Sequence, residues 1–95
     1  MIMLDPRWNR LLHYLRKGLD AAGLERTGLR ADPTSGGVWI AIPGTEQWWG
    51  CVVAESDVRH GDLVLEAEHL LVTYRIACAK AGSGASVAAR TPVAP

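Results

Sequence analysis

The chain has 95 residues, 48% of them hydrophobic, with ten basic and ten acidic side chains and therefore no formal net charge. That length holds one small core, the apolar fraction excludes a disordered chain, and the charge balance removes any bulk attraction to nucleic acid or acidic membranes. No uninterrupted apolar run approaches the roughly 20 residues of a membrane span, and Asp5 and Arg7 bring charge too early for a secretory leader, so a soluble, cytoplasmic protein is expected.

The first element reads as a helix. Asp5 can cap it, Pro6 suits its first turn, and Gly23 ends it where glycine takes a left-handed conformation. Trp8, Leu11, Leu12, Leu15, Leu19 and Ala22 share one stripe at helical spacing. Arg10, His13, Arg16 and Lys17 lie away from it and give the helix a basic face. Residues 1–30 carry six basic side chains against three acidic, and residues 46–68 carry six acidic against Arg59 alone. Such blocks ordinarily solvate two halves of a dipolar surface.

Residues 27–32 alternate weakly and predict an edge strand, followed by the turn cluster Pro33-Thr34-Ser35-Gly36-Gly37. A β-hairpin follows, with its loop at residues 43–47. Alternation sends Val38, Ile40 and Ile42 to one face of the sheet, with Trp49, Cys51 and Val53. Trp39, Ala41, Trp48, Gly50, Val52 and Ala54 go to the other. Neither face is polar. Ser56 to Gly61 is polar and reads as a break.

Asp62 to Lys80 contains Leu63-Val64-Leu65-Glu66-Ala67-Glu68, which alternates as a strand would, but the unbroken run is too long for one. A helix is predicted. Its apolar arc is Leu63, Ala67, Leu70, Leu71, Tyr74, Ala77 and Cys78. Glu66, His69, Thr73 and Lys80 form one polar strip, Glu68 and Arg75 another, and between them run Leu65, Val72, Ile76 and Ala79. A helix with two apolar stripes is deeply buried or shared between partners. Residues 81–95, small and aperiodic, read as a flexible tail. The expected fold is a small α+β domain over residues 1–80, a three-stranded antiparallel sheet packed with two helices in the order α-β-β-β-α.

The chemistry-bearing residues are few. Cys51 and Cys78 make no disulfide framework or C-x-x-C pair and read as small buried hydrophobes in a reducing compartment. Glu66 and His69 have the spacing with which paired helices hold metal, yet supply two ligands only, so a solvated strip is expected, with no metal and no cofactor. Nucleophile elbow, phosphate loop, zinc-helix motif and dinucleotide fingerprint are all missing from the sequence, which points away from an enzyme.

The predicted element order is similar to that of the double-stranded RNA-binding domain family, which grips phosphates with lysines at the start of its second helix. The matching place here holds Asp57, Gly61, Asp62, Glu66 and Glu68, of the wrong sign, so no site follows from the likeness.

The function expected is protein–protein interaction: a self-associating or adaptor module whose contact residues are Trp39, Trp48 and Val52 on the sheet with Leu65, Val72 and Ile76 on the last helix. Eight arginines against two lysines suggest a GC-rich coding sequence, hence a bacterial or phage accessory protein. The alternative is nucleic-acid binding through Arg10, His13, Arg16 and Lys17.

Overall fold

Helix α1 (Pro6–Ala21) opens the fold, followed by strands β1 (Leu29–Asp32), β2 (Gly37–Ala41) and β3 (Trp48–Val52), a short helix α2 (Glu55–His60) and the long helix α3 (Leu63–Gly82). The computed structural model describes residues 6–25 and 27–82. The expected Asp5 cap lies outside the described residues, as does all of the expected tail beyond residue 82.

The expected α+β order is present. Trp8, Leu11, Leu15 and Leu19 form the buried stripe of α1. The helix ends in a Schellman motif: the Leu24 N–H donates to the Leu19 carbonyl (2.8 Å) and the Gly23 N–H to that of Asp20 (3.1 Å). Gly23 sits at φ 79°, the left-handed conformation this motif requires. Ala22 falls in that turn and is exposed, rather than extending the stripe.

The sheet is antiparallel with order β1-β2-β3. Val38, Ile40, Ile42, Trp49 and Val53 on one face are buried with the helices' stripes in a single core. The β1–β2 turn is held by Asp32, which accepts from the Thr34 N–H (3.0 Å) and the Ser35 hydroxyl (3.0 Å). Gly36 there has φ 74°, and a Cβ on it would lie 2.5 Å from the Val53 carbonyl oxygen, so both conformation and space demand glycine.

Two further details differ from the sequence reading. The polar stretch 56–61 is not a plain loop: Glu55–His60 closes one helical turn and a half with Val58 fully buried, acidic groups in its first turn and basic ones in its last. That charge order complements the helix dipole. Helix α3 also runs two residues further than Lys80, to Gly82. Asp62 caps it, accepting from the Val64 (3.1 Å) and Leu65 (3.2 Å) N–H groups.

The most extensive pairing of elements is α1 on α3. Gly18 permits the close approach, since a Cβ there would meet Leu71 Cδ1 at 2.2 Å. Arg7 ties the start of α1 to the α2–α3 connection, its Nε donating to the Val58 carbonyl (2.7 Å) and its Nη2 to the Gly61 carbonyl.

Candidate functional site

The core-facing stripe of α3, Leu63, Ala67, Leu70, Tyr74 and Ala77, is buried. Tyr74 anchors it to the sheet: its hydroxyl donates to the Ala41 carbonyl (2.8 Å), and its ring meets Trp49 edge-on, centroids 6.0 Å apart. Burial, and secondarily the neighbouring Cys78, push the Tyr74 phenol well above its ordinary pKa, so it is held as a neutral donor.

Because that stripe is fixed inward, the opposite side of the helix must face out. There Leu65, Val72 and Ile76 are 63%, 58% and 53% exposed. Ala79 continues the line and is exposed. The sheet lies to one side of this stripe, where Glu66 raises the pKa of the Cys51 thiol after the larger effect of burial. Helix α1 lies to the other side, where Leu71 meets Gly18. Glu66 and Thr73 separate the apolar line from the sheet, with His69 at its edge, and Glu68 and Arg75 separate it from α1.

The outer face of the sheet is arranged differently. Trp39 pairs across with Arg30 on β1 and Gly50 on β3, and Trp48 with Ala41. Both indoles lie down over glycines: a Cβ on Gly37 would stand 2.5 Å from Trp39 Cη2, and one on Gly28 would stand 2.8 Å from Trp48 Cη2. The Arg30 guanidinium sits 5.5 Å from the Trp48 ring centroid, a cation–π distance. The two tryptophans are consequently half-buried, and Val52 is the large side chain most open on this face, at 55%. Trp39 Nε1 is buried with no hydrogen-bond partner among the described residues.

The six residues expected to form one contact surface therefore fall into two groups with the core between them: Trp39, Trp48 and Val52 outside the sheet, and Leu65, Val72 and Ile76 outside α3. Val64, 48% exposed at the N-terminal end of α3, escaped the sequence reading. Its place next to the Leu63 core position, a quarter-turn from the inward stripe, was the available signal.

The basic face of α1 is divided as well. Arg10, His13 and Lys17 are exposed. Arg16 instead closes the turn after the helix: Nη1 donates to the Thr27 carbonyl (2.8 Å), Nη2 to those of Leu24 (2.8 Å) and Glu25 (3.1 Å), and Nε to Asp20 Oδ1 (3.2 Å). Glu66 and His69 lie on one side of α3, and among the described residues no group of three or more His, Cys, Asp or Glu side chains converges as a metal site would need. Cys51 and Cys78 are free thiols, each half-buried rather than fully enclosed. Among the described residues no helix is long and apolar enough to cross a membrane.

No protein-family model matches the chain, and no curated protein and no solved structure is significantly similar to it.

Proposed function

We propose that this protein is a non-enzymatic protein–protein interaction module whose contact surface is the outward stripe of α3. The observation that carries this reading is the exposure of Leu65, Val72 and Ile76, each more than half open, on a helix whose opposite side is fully occupied by the core. Large aliphatic side chains aligned along a rigid helix are poorly tolerated by water and well suited to a partner helix or groove. The half-buried Trp39 and Trp48 already shield part of the outer sheet face, so that face is the weaker candidate. Arg16, spent on three backbone carbonyls, weakens the case for phosphate binding by α1. Free Cys51 and Cys78 agree with a reducing compartment such as the cytoplasm of a bacterium, where a small bacterial or phage accessory protein would act.

The test is the triple substitution Leu65→Lys, Val72→Lys and Ile76→Lys. A contact surface contributes nothing to the isolated fold, so in protein diluted until it is monomeric the melting temperature and circular dichroism should stay near those of the parent, while binding of the hydrophobic dye ANS falls. Collapse of the fold would show instead that the stripe is part of the domain's own core.

A further inference from the structure

The outward stripe of α3 has a finer pattern than exposure alone. Leu65, His69, Val72, Ile76 and Ala79 succeed one another at steps of four, three, four and three, the spacing of positions that helices packed side by side turn toward each other. All five are exposed, and His69 is the single polar step. A straight line of such spacing along one helix face is matched over its whole length by a second helix lying alongside.

The charges flanking the seam specify which helix. Glu66 and Glu68 flank its N-terminal half, one on each side, and Arg75 and Lys80 flank its C-terminal half in the same way. The seam is thus acidic at one end and basic at the other. A two-fold interface must be complementary to itself, each residue meeting its counterpart's partner. Two copies of α3 laid antiparallel about an axis near Val72 and Thr73 satisfy this, bringing Glu66 and Glu68 of each copy beside Arg75 and Lys80 of the other. A parallel pair in register would set Arg75 against Lys80 across the seam and oppose like charges. Antiparallel helix dipoles add to the preference, and zero net charge leaves no long-range repulsion between copies.

We infer that the partner of this surface is a second copy of the same chain, joined as an antiparallel α3–α3 homodimer through Leu65, Val72, Ile76 and Ala79. The inference rests on the reading of the stripe as a contact surface and names its occupant. One helix face covers less than the roughly 800 Å² per partner of a standard interface, so the pairing is concentration-dependent.

Sedimentation equilibrium over a wide concentration range tests the pairing, on the parent and on Ile76→Glu and Val52→Glu. The expected result is a monomer–dimer equilibrium that Ile76→Glu weakens at least about tenfold with unchanged circular dichroism, and that Val52→Glu, on the far side of the core, leaves alone. Orientation is read by oxidative cross-linking in a Cys51→Ser, Cys78→Ser background. Glu66→Cys mixed with Lys80→Cys should cross-link, and neither alone should. A parent that stays monomeric at millimolar concentration overturns the homodimer. The reading of the stripe as a contact surface then stands or falls separately, on the melting temperature of the triple lysine variant. Dimers indifferent to Ile76→Glu, or cross-linking of Glu66→Cys with itself, overturn this interface and its orientation respectively.

Discussion

Replacing Tyr74 by Phe removes one hydroxyl from the centre of the fold and leaves the ring in place. That hydroxyl donates at 2.8 Å to the carbonyl of Ala41, the last residue of β2, whose N–H reaches the carbonyl of Gly28, just before β1 starts, at 3.0 Å. A net hydrogen bond contributes about 0.5–1.5 kcal/mol, so Tyr74→Phe should cost about 1 kcal/mol, or about 4–8 °C in Tm for a domain of this size. Tyr74→Ala should be far worse, because the side chain has no exposed surface and aromatic truncations in a core cost about 3–5 kcal/mol. Against a total stability of about 5–14 kcal/mol, the first variant remains folded and the second is marginal. Urea melts followed by tryptophan fluorescence provide the assay, since Trp49 lies against the Tyr74 ring. The phenol makes a second prediction about pH. Its pKa is raised in the folded state, so the folded chain keeps a proton that the unfolded chain gives up above pH ~10. The stability from neutral Tyr74 is complete below that pH and lost as pH rises beyond it, by up to about 1.4 kcal/mol per pH unit. The gap between parent and Tyr74→Phe should accordingly shrink in alkali. Equal stabilities at neutral pH, or parallel alkaline limbs, would refute the role assigned to this hydroxyl.

Three other outcomes follow from local geometry. Gly36→Ala should cost more than about 2 kcal/mol and Gly44→Ala only about 1; both glycines have positive φ, but the Val53 carbonyl oxygen stands 2.5 Å from a Cβ at the first and nothing lies within 4 Å at the second. Equal losses in urea melts would mean that space at Gly36 is not limiting. Arg16→Ala should lower stability by about 1–2 kcal/mol through its bonds to carbonyls, with little from its exposed pair with Asp20. Arg10→Ala and Lys17→Ala should be near neutral in the same thermal melts, and loss of stability on their removal equal to that of Arg16 would contradict the clasp. Trp39→Phe should stay within about 1 kcal/mol of the parent, because the lost ring area is offset by removing a buried N–H that lacks a described partner; a loss near 3 kcal/mol in chemical denaturation would show that Nε1 is satisfied after all.

Much of the fold was legible because its signals are local and periodic. Gly23 announced the end of α1, the alternation from Val38 to Ile42 sorted the sheet faces, and the two stripes of α3 fell where 3.6-residue spacing put them. Helix α2 was not legible, since a six-residue helix with one apolar residue, Val58, has no period to detect. Its signal lay in charge order, acidic groups first and basic ones last. The division of the expected contact surface into two had a different cause. Strand and helix patterns assign a face to each residue, but the separation of the α3 stripe from the outer sheet face depends on which side of α3 the sheet occupies. The half-burial of Trp39 and Trp48 is likewise a matter of ring orientation over Gly37 and Gly28, which alternation does not encode. Arg16 showed only a charge in the sequence; its use became visible with the carbonyls of Leu24, Glu25 and Thr27 gathered around it.

The pairing of α1 with α3 sets a schedule for synthesis. The first helix is complete when Ala21 is made, but its partner begins only at Leu63. At ~5–20 residues per second, α1 waits about 2–8 s before the helix that covers Leu11, Leu15 and Leu19 starts to be made. Over that interval an amphipathic segment is without its natural cover and within reach of chaperones, neighbouring nascent chains and membrane surfaces. The Arg7 strap has its acceptors, Val58 and Gly61, before α3 begins, yet the core lacks Leu63, Ala67, Leu70, Tyr74 and Ala77 until that helix is made, so removing the chain beyond residue 62 should yield a fragment that keeps the hairpin's sequence but not its core.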